Sequence, residues 1–471
     1  MISYKLVDGT SQTSHHARCR KHRQWQPRKQ ENPNRGDALA WFGRLCPQAF
    51  FDQLCRELGL RQRKRVFTLP VTVWLMITQR LNSGTLAATV SELVNGNGWD
   101  ILEPCKRVRE QKISANTGAF SQARMQLPVA AARRVAQHTF DQLHRALPAE
   151  QGISDRLFVL DGSSIELAHT AEIGKVYGRA KNQHGESHWP VMRVAVVHHV
   201  ATGLALPPTH GPMYGPGAVG EQELAESLIE NLPPGSLLVA DRNFGVFSVV
   251  WRSALLGHDV VMRLTRARAQ RLLPNLPVDS DQEVIWRATR FDRMSHPDLP
   301  AEAQVKGRLI VVRSEIGGEP LYLFTTLEHE SAQNIAVLYR QRWHIETDLR
   351  SLKEQVKLHS ISAKTPHMAA VELLLAVTAY NLIRAVMGEA ARQIGIEPRR
   401  LSFSRSQAAF WAFTRAVSQP VSQEKFTHHW NLLLRILGQC KLPNRIRPSQ
   451  PRAIWGKSSQ FPLRHPQEKT K

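Results

Sequence analysis

Residues 339–358 read YRQRWHIETDLRSLKEQVKL, and this stretch has polar residues at spacings that a helix usually gives to apolar ones. The four polar residues are Tyr339, Arg342, Glu346 and Lys353. Because a helix turns about 100° per residue, they fall within about 60° of arc on one helix face. An apolar stripe is centred roughly 80° away by the same rotation. We therefore predict one helix with a buried face and a polar edge, on which Arg350 and Lys357 border the acid.

Two aspartates stand at the ends of apolar runs, in VLDGSS and VADRNFG. Taken singly, Asp161 and Asp241 are each typical of a turn or a helix cap, and an isolated polar helix face is typical of a solvated surface. Together with Glu346 they form a set of three carboxylates. Carboxylates at adjacent strand ends can hold two Mg²⁺ ions about 3.5–4 Å apart for phosphodiester chemistry. The sequence thus predicts a metal site made of Asp161, Asp241 and Glu346.

The segment around these aspartates alternates short apolar runs with amphipathic helices. RLFVLD predicts a strand that ends at Asp161, and VMRVAVVHHV and GLALPPTH predict two more. A helix, the strand SLLVAD, a second helix and the strand HDVVMRL follow, which gives the order β-β-β-α-β-α-β. Residues 265–330 hold three further strand patterns and predict a β-rich insertion.

The flanking segments differ in composition from this centre. Residues 1–36 predict a basic, flexible arm, and residues 37–147 a helical domain. The central α/β domain is assigned to residues 148–366, and residues 367–471 to helices and a basic tail. The apolar run VELLLAVTAYNLI is too short to span a bilayer, so no membrane association is expected. Five scattered cysteines predict neither a disulfide framework nor a zinc ribbon, and we expect a reducing cytoplasm.

Charge points to the class of partner. The chain of 471 residues has 62 Lys and Arg against 40 Asp and Glu, a formal charge of +22. Such an excess favours a polyanion, and nucleic acid is the common one. Charge alone does not identify the partner.

With these residues in view, the sequence resembles the bacterial insertion-sequence DDE transposases, specifically the insertion-sequence-4 group. The family signature Y-x2-R-x3-E-x6-K is matched in full by Tyr339, Arg342, Glu346 and Lys353. The similarity runs from about residue 37 to residue 465 and includes SANTGAFSQARMQLP, the segment that leads into the core. Residues 1–36 match no motif of the family.

The resemblance implies an α/β fold with a ribonuclease-H-like mixed-sheet catalytic core, a β-rich insertion, an N-terminal helical DNA-binding domain and a helical C-terminal region. It implies that Asp161, Asp241 and Glu346 bind Mg²⁺, for which Mn²⁺ can substitute. DNA contacts are expected at Tyr339, Arg342, Lys353, Arg350, Lys357, Arg242 and Trp286, with Trp286 stacking on a displaced base. Packing in a core is the commoner use of a strand tryptophan.

The implied activity is cut-and-paste transposition in the bacterial cytoplasm, in association with the nucleoid. The partners would be the terminal inverted repeats and target DNA, with a homodimer in the synaptic complex. Two alternatives stay open: a metal-dependent nuclease of the same fold, and an inactive transposase-derived DNA-binding protein. The second is disfavoured because three clustered carboxylates repel phosphate and bring no benefit to a protein that only binds DNA.

Overall fold

The computed structural model describes residues 45–61, 65–82, 84–96, 102, 105–147, 152–183, 185–313, 320–358, 361–417 and 422–443. The predicted basic arm of residues 1–36 lies outside the described residues, as does the basic tail beyond residue 443.

In the described residues, six helices precede the sheet. They are α1 Gln48–Glu57, α2 Leu69–Leu81, α3 Leu86–Val94, α4 Lys106–Arg109, α5 Gly118–Gln126 and α6 Val129–Ala146. Their apolar faces pack inward, and α2 and α6 lie against the long helix α14, Pro366–Gln393. The buried residues of these helices belong to the same hydrophobic core as one face of the sheet. A helical N-terminal region is present as predicted, and it shares its core with the rest of the chain.

The central sheet begins with β1 Leu157–Glu166, β4 Val191–His199 and β5 Thr209–Pro212. Between the first two lie α7 Ala171–Val176 and a small hairpin, β2 Lys181–Asn182 and β3 Gly185–Glu186. The sheet continues through α8 Glu221–Ile229, β6 Leu237–Ala240, α9 Phe247–Leu255 and β7 Asp259–Leu264. The large strands therefore follow the predicted order. Two details of the prediction differ from the structure. β1 continues five residues past Asp161, and GLALPPTH has an isolated bridge at Ala205 and joins β5 only from Thr209.

The predicted insertion contains α10 Arg266–Leu272, β8 Ser280–Arg287, α11 Arg290–Ser295, β9 Gln304–Val312 and β10 Leu321–Thr325. Its strands extend the main sheet, because β10 pairs with β7 and the strand order is β5-β4-β1-β6-β7-β10-β9-β8. β1, β6 and β7 are parallel to one another, whereas the outer pairs are antiparallel. The fold is thus mixed α/β around a single eight-stranded sheet.

The sheet is covered on both faces, as the alternation of side chains along β1 illustrates. Phe158 and Leu160 face the core shared with the N-terminal helices and α14. Leu157 and Val159 face a second core, formed with α12 Ala332–Arg340 and α13 Trp343–Arg350. Successive side chains of a strand point to opposite faces, so strands buried on both sides read as continuous apolar runs.

The helix predicted for residues 339–358 is interrupted. α12 ends at Arg340, a turn follows, and α13 runs into a π-helical segment at Ser351–Gln355. The single-helix prediction is therefore wrong, and the four signature residues do not share one continuous helix face.

The remaining helices are α15 Phe403–Ala416 and α16 Gln423–Gln439, with short 3₁₀ turns at Ile153–Arg156 and Pro398–Arg400. Among the described residues, only α14 and its C-cap residue make a helix long and apolar enough to cross a membrane. Its whole apolar window is buried inside the protein.

Candidate active site

The two aspartates meet at the point where a parallel strand pair ends. Leu160 on β1 pairs with Ala240, the last residue of β6, so Asp161 and Asp241 each come one residue later. Beyond this pair β1 keeps only its antiparallel partner β4. The sheet is therefore open beside Asp161, at the carboxyl ends of parallel strands, where α/β proteins commonly bind ligands.

Arg342 links the first aspartate to the glutamate. Its Nη1 lies 3.8 Å from Oδ2 of Asp161, and its Nη2 lies 3.9 Å from Oε1 of Glu346. The Arg342 side chain is 14% exposed, its Cζ lies 5.1 Å from the centroid of the Trp343 ring, and its buried Nε has no hydrogen-bond partner. The turn between α12 and α13 thus directs a nearly buried cation between two of the predicted acids.

The surroundings of the Asp161 carboxylate disfavour its charged form. Burial raises its pKa to about 6, and the nearby charges of Asp241 and Glu221 act in the same direction. The Gly162 amide, which donates to Oδ1 at 2.8 Å, and Arg342 oppose the shift. A bound cation would relieve such repulsion between carboxylates.

The donor set suits a hard divalent cation, since it consists of carboxylate oxygens. Within the described ranges, no three histidine, cysteine or acidic side chains lie close enough together to hold one ion among them. The residues therefore fit the predicted metal by ligand type and by charge, whereas in this structure Asp161 and Glu346 form ion pairs with Arg342.

A fourth acid, Glu221, was not predicted from the sequence. Its carboxylate lies so close to Gly162 that a Cβ on that glycine would approach within 2.5 Å of Cδ. It also accepts a hydrogen bond from Nδ2 of Asn243, whose backbone amide donates to Asp241 Oδ1 at 2.8 Å. Glu221 thereby ties the Asp241 turn to the β1 residue that follows Asp161. In the sequence it looks like an ordinary acid in the first turn of a helix.

Lys353, on the π-helical segment, lies near Asp161. It is half-buried, burial lowers its pKa, and the nearby charge of Asp161 opposes that shift. π-helical turns widen the backbone by one residue and often occur at functional sites. The segment accordingly directs Lys353 toward Asp161, although the preceding helix is interrupted.

Tyr339, at the end of α12, is 6% exposed. Its buried hydroxyl makes no hydrogen bond of standard geometry. Burial raises the pKa of this hydroxyl, while the charges of Arg342 and Arg263 nearby oppose the shift. The side chain therefore lies beside Arg342, mostly within the protein.

The helix that carries Glu346, α13, is held in place by a buried acid on the same helix. Asp348 is fully buried and accepts hydrogen bonds from Arg384 and from Arg399, whose Nη1 lies 2.7 and 2.8 Å from its two oxygens. Burial alone would raise the pKa of Asp348, but Arg399, Arg384 and the nearby His198 hold it below its usual value. Sequence reasoning missed this cluster, although an acid within the apolar stripe of a helix was a usable signal.

Four other predicted residues lie apart from the carboxylates or at their margin. Arg350 and Lys357 are exposed, and Lys357 has a left-handed backbone with φ 56°. Arg242 is exposed and directly follows Asp241. Trp286 is only 7% exposed and packs edge-on against Phe324, with ring centroids 5.0 Å apart. The ring thus packs in the core in this structure, and its stacking on a displaced base stays a prediction.

The similarity to known proteins includes the region that contains these residues. The family described as Transposase DDE domain matches residues 153–382, which include β1, β6, α12, α13 and most of α14. The chain is 25% identical over 425 residues to the transposase InsG of insertion sequence element IS4 from Escherichia coli K12. That alignment covers 89% of this chain and 92% of the relative.

Two weaker similarities accompany these. A probable transposase of insertion sequence element IS5377 from Geobacillus stearothermophilus is 28% identical over 100 residues, which are 21% of this chain and 26% of that one. The cryo-EM structure of a piggyBac transposase synaptic complex with hairpin DNA aligns with 88% of this chain and 87% of its own. Its TM-score is 0.43 at 9% identity, too low to support conclusions about this chain.

The DDE domain thus covers the strands that bring Asp161 and Asp241 together, and the similarity to the IS4 transposase extends through nearly the whole chain. The protein therefore carries a transposase DDE domain and is similar to the transposase of insertion sequence element IS4.

Proposed function

We propose that this DNA transposase binds the ends of its own insertion sequence, cleaves them and joins the freed 3′-hydroxyls to target DNA. The observation that carries the proposal is the meeting of Asp161 and Asp241 at one strand edge, with Arg342 linking Asp161 to Glu346. The order of the large strands is the one that the family resemblance implies for a ribonuclease-H-like core, which we assign to the region around this edge.

Asp161, Asp241 and Glu346 would hold the divalent cation, with Mg²⁺ as the expected ion. When bound, the cation activates the attacking water or hydroxyl and stabilises the leaving oxygen. The protein's own part is positioning. Arg342 and Lys353 offer cations beside the acids, so a phosphate of the transposon end can lie over the carboxylates without net repulsion.

Other residues hold the carboxylates in position. Glu221 and Asn243 hold the Asp241 turn against β1, and the buried Asp348 cluster fixes the helix that carries Glu346. We assign Tyr339 to the same support, since its ring is buried beside Arg342. We further propose a homodimer in the synaptic complex and action on chromosomal DNA in the bacterial cytoplasm.

The test uses single alanine variants of Asp161, Asp241 and Glu346 and a duplex from the inverted repeats that flank the gene. Each variant should lose cleavage while end affinity in a gel-shift assay stays near wild type, because binding rests on cations. Glu354→Ala, which removes an exposed acid from the π-helical segment, is the matched control and should cleave normally.

Cleavage that survives in any one of the three variants would remove that residue from the proposed site. Strand transfer separates the proposal from a nuclease. A pre-cleaved end should be joined to a target plasmid only when it has the correct terminal sequence, whereas a nuclease would degrade DNA and join nothing.

A further inference from the structure

The most exposed large apolar side chains in the described part of the chain stand together on α11. Phe291 is 77% exposed and Met294 is 66% exposed, and their spacing of three residues puts them on one helix face. The helix is held firmly, since Thr289 and Asp292 form a capping box and Arg293 donates to the Ala301 carbonyl at 2.6 Å. Two apolar side chains are thus presented to solvent on a fixed support.

Exposed arginines lie on α10, at the end of β8 and at the start of α11. In the described ranges four of them form no ion pair: Arg266, Arg271, Arg287 and Arg290. Three of the acids in this region are engaged, because Asp281 binds Arg308, Asp279 binds Arg313 and Asp292 caps α11. We call this surface, formed by the four arginines with Phe291 and Met294, the arginine ledge. Arginines outnumber acids on this surface, which also has the exposed Asp298 and Glu302 in the segment after α11.

The arginine ledge is connected to the carboxylates. Arg268 on α10 donates from Nη1 to the Arg242 carbonyl at 2.9 Å, one residue after Asp241. α10 packs beside β8, which leads directly into α11. Lys353, by contrast, lies near Asp161 on β1. The ledge and Lys353 therefore approach the paired strand ends from different flanks.

The chemistry of the ledge favours DNA over a second copy of the chain. A symmetric contact between two copies would bring the arginines of each ledge toward those of the other, which like charge disfavours. Arginines beside exposed apolar wedges are the combination that proteins use to grip and bend duplex DNA with little regard to sequence. The charge of the ledge is complementary to phosphate.

We propose that the arginine ledge binds the target duplex and delivers it to the carboxylates from the Asp241 flank. This inference rests on the proposed function, in which the transposon end takes the flank of Arg342 and Lys353. Joining requires a second DNA at the same carboxylates, and the ledge is a basic surface that leads to them from the other side.

The test compares the double variant Arg290→Glu/Phe291→Ala with the matched control Arg435→Glu/Ile436→Ala. The control likewise changes an exposed arginine and its exposed apolar neighbour, on α16. The full-length protein is assembled on pre-cleaved ends, and binding of a labelled random-sequence duplex is followed by fluorescence anisotropy, together with joining to a target plasmid. We expect the ledge variant to bind target at least about 10-fold more weakly and the control to match wild type.

End affinity and end cleavage should stay within about twofold of wild type in the ledge variant, since its residues do not contact the transposon end. Single changes separate the two kinds of contact. Arg290→Ala should lower the slope of log affinity against log salt by about one, and Phe291→Ala should weaken target binding with no change of slope.

Three results would overturn the inference: target affinity equal to that of the control, an equal loss of end binding, or a change of oligomeric state in sedimentation. The second would assign the ledge to the transposon end and the third to a contact between copies. If the wild-type protein does not cleave its ends, the proposed function is contradicted. If the wild-type protein cleaves and the ledge variant binds target as well as wild type does, only the role of the ledge is contradicted.

Discussion

Asp161 carries a charge that the folded protein holds at a cost. Its pKa of about 6 lies above the value of about 3.9 for an unfolded chain. Between those two values the folded protein binds more protons than the unfolded one, so the free energy of unfolding falls as pH rises through this window. The unfavourable contribution is fully present above pH 6 and absent below pH 4.

Asp161→Asn should therefore stabilise the protein without divalent cations at pH 8, by about 1–2 kcal/mol after allowance for partial exposure. Asparagine removes the charge and keeps the oxygen that accepts from the Gly162 amide. Urea denaturation at pH 8 and pH 4 would measure this, with the exposed Glu354→Gln as control. An equal gain at both pH values would show that the stabilisation does not come from the charge.

Lys353 is predicted to act on a phosphate and not as a proton donor. Lys353→Ala should weaken end binding and reduce cleavage, with much of the cleavage recovered at lower salt or higher DNA concentration. Lys353→Arg should retain much of both, because a phosphate needs a cation more than one donor geometry. Lys175→Ala, at an exposed lysine on α7, serves as control. End affinity equal to wild type across a salt series would contradict this role.

At the scale of elements, the buried ion pairs of Asp348 fix the position of α13 more than helix propensity does. Asp348→Ala leaves Arg384 and Arg399 without their buried acid, and we expect a loss of about 3–5 kcal/mol in the free energy of unfolding. Glu389→Ala, which breaks the more exposed pair with Arg392 on α14, should cost less than about 1 kcal/mol. Urea denaturation of both variants gives the comparison.

A cost for Asp348→Ala similar to that for Glu389→Ala would mean that water or a rearranged side chain compensates the arginines. A variant that folds should also bind DNA ends with near-normal affinity and cleave them poorly, since Glu346 lies on the loosened helix. Loss of end binding and of cleavage to the same extent would point to a general structural defect.

A second buried acid joins elements that are far apart in the chain. Glu372 on α14 accepts from Arg80 on α2 and from Arg124 on α5, with Nη2 to carboxylate distances of 2.5 and 2.6 Å. The N-terminal helices are thereby fixed to the long helix that also carries Arg384.

At the scale of the whole molecule, the charge of +22 makes DNA binding sensitive to salt. With about 6–10 phosphate contacts, end affinity should fall roughly 10³–10⁵-fold between 50 and 200 mM salt, because each contact releases counterions. Anisotropy of a labelled end duplex across a salt series measures the slope. A nearly flat dependence would contradict a surface built on arginine and lysine contacts to phosphate.

Features that depend on neighbours in the chain were predictable from sequence. Apolar runs gave the large strands and their order, and the fixed spacing from Tyr339 to Lys353 pointed to the family. Asp161 and Asp241 were predicted as carboxylates at the ends of adjacent strands, and the Leu160–Ala240 pair confirms that the two strands are adjacent. Local periodicity suffices for these features, since it reflects which face of an element is buried.

Only the tertiary structure decided the break after Arg340, the burial of Trp286 against Phe324 and the extension of the main sheet by the insertion. It also decided that Asp348 is bound by Arg384 and Arg399, which lie 36 and 51 residues away in the chain. The physical reason is the same in each case. The environment of these residues is supplied by chain segments distant in sequence, and the periodicity of a single segment contains no information about which distant partner will pack against it.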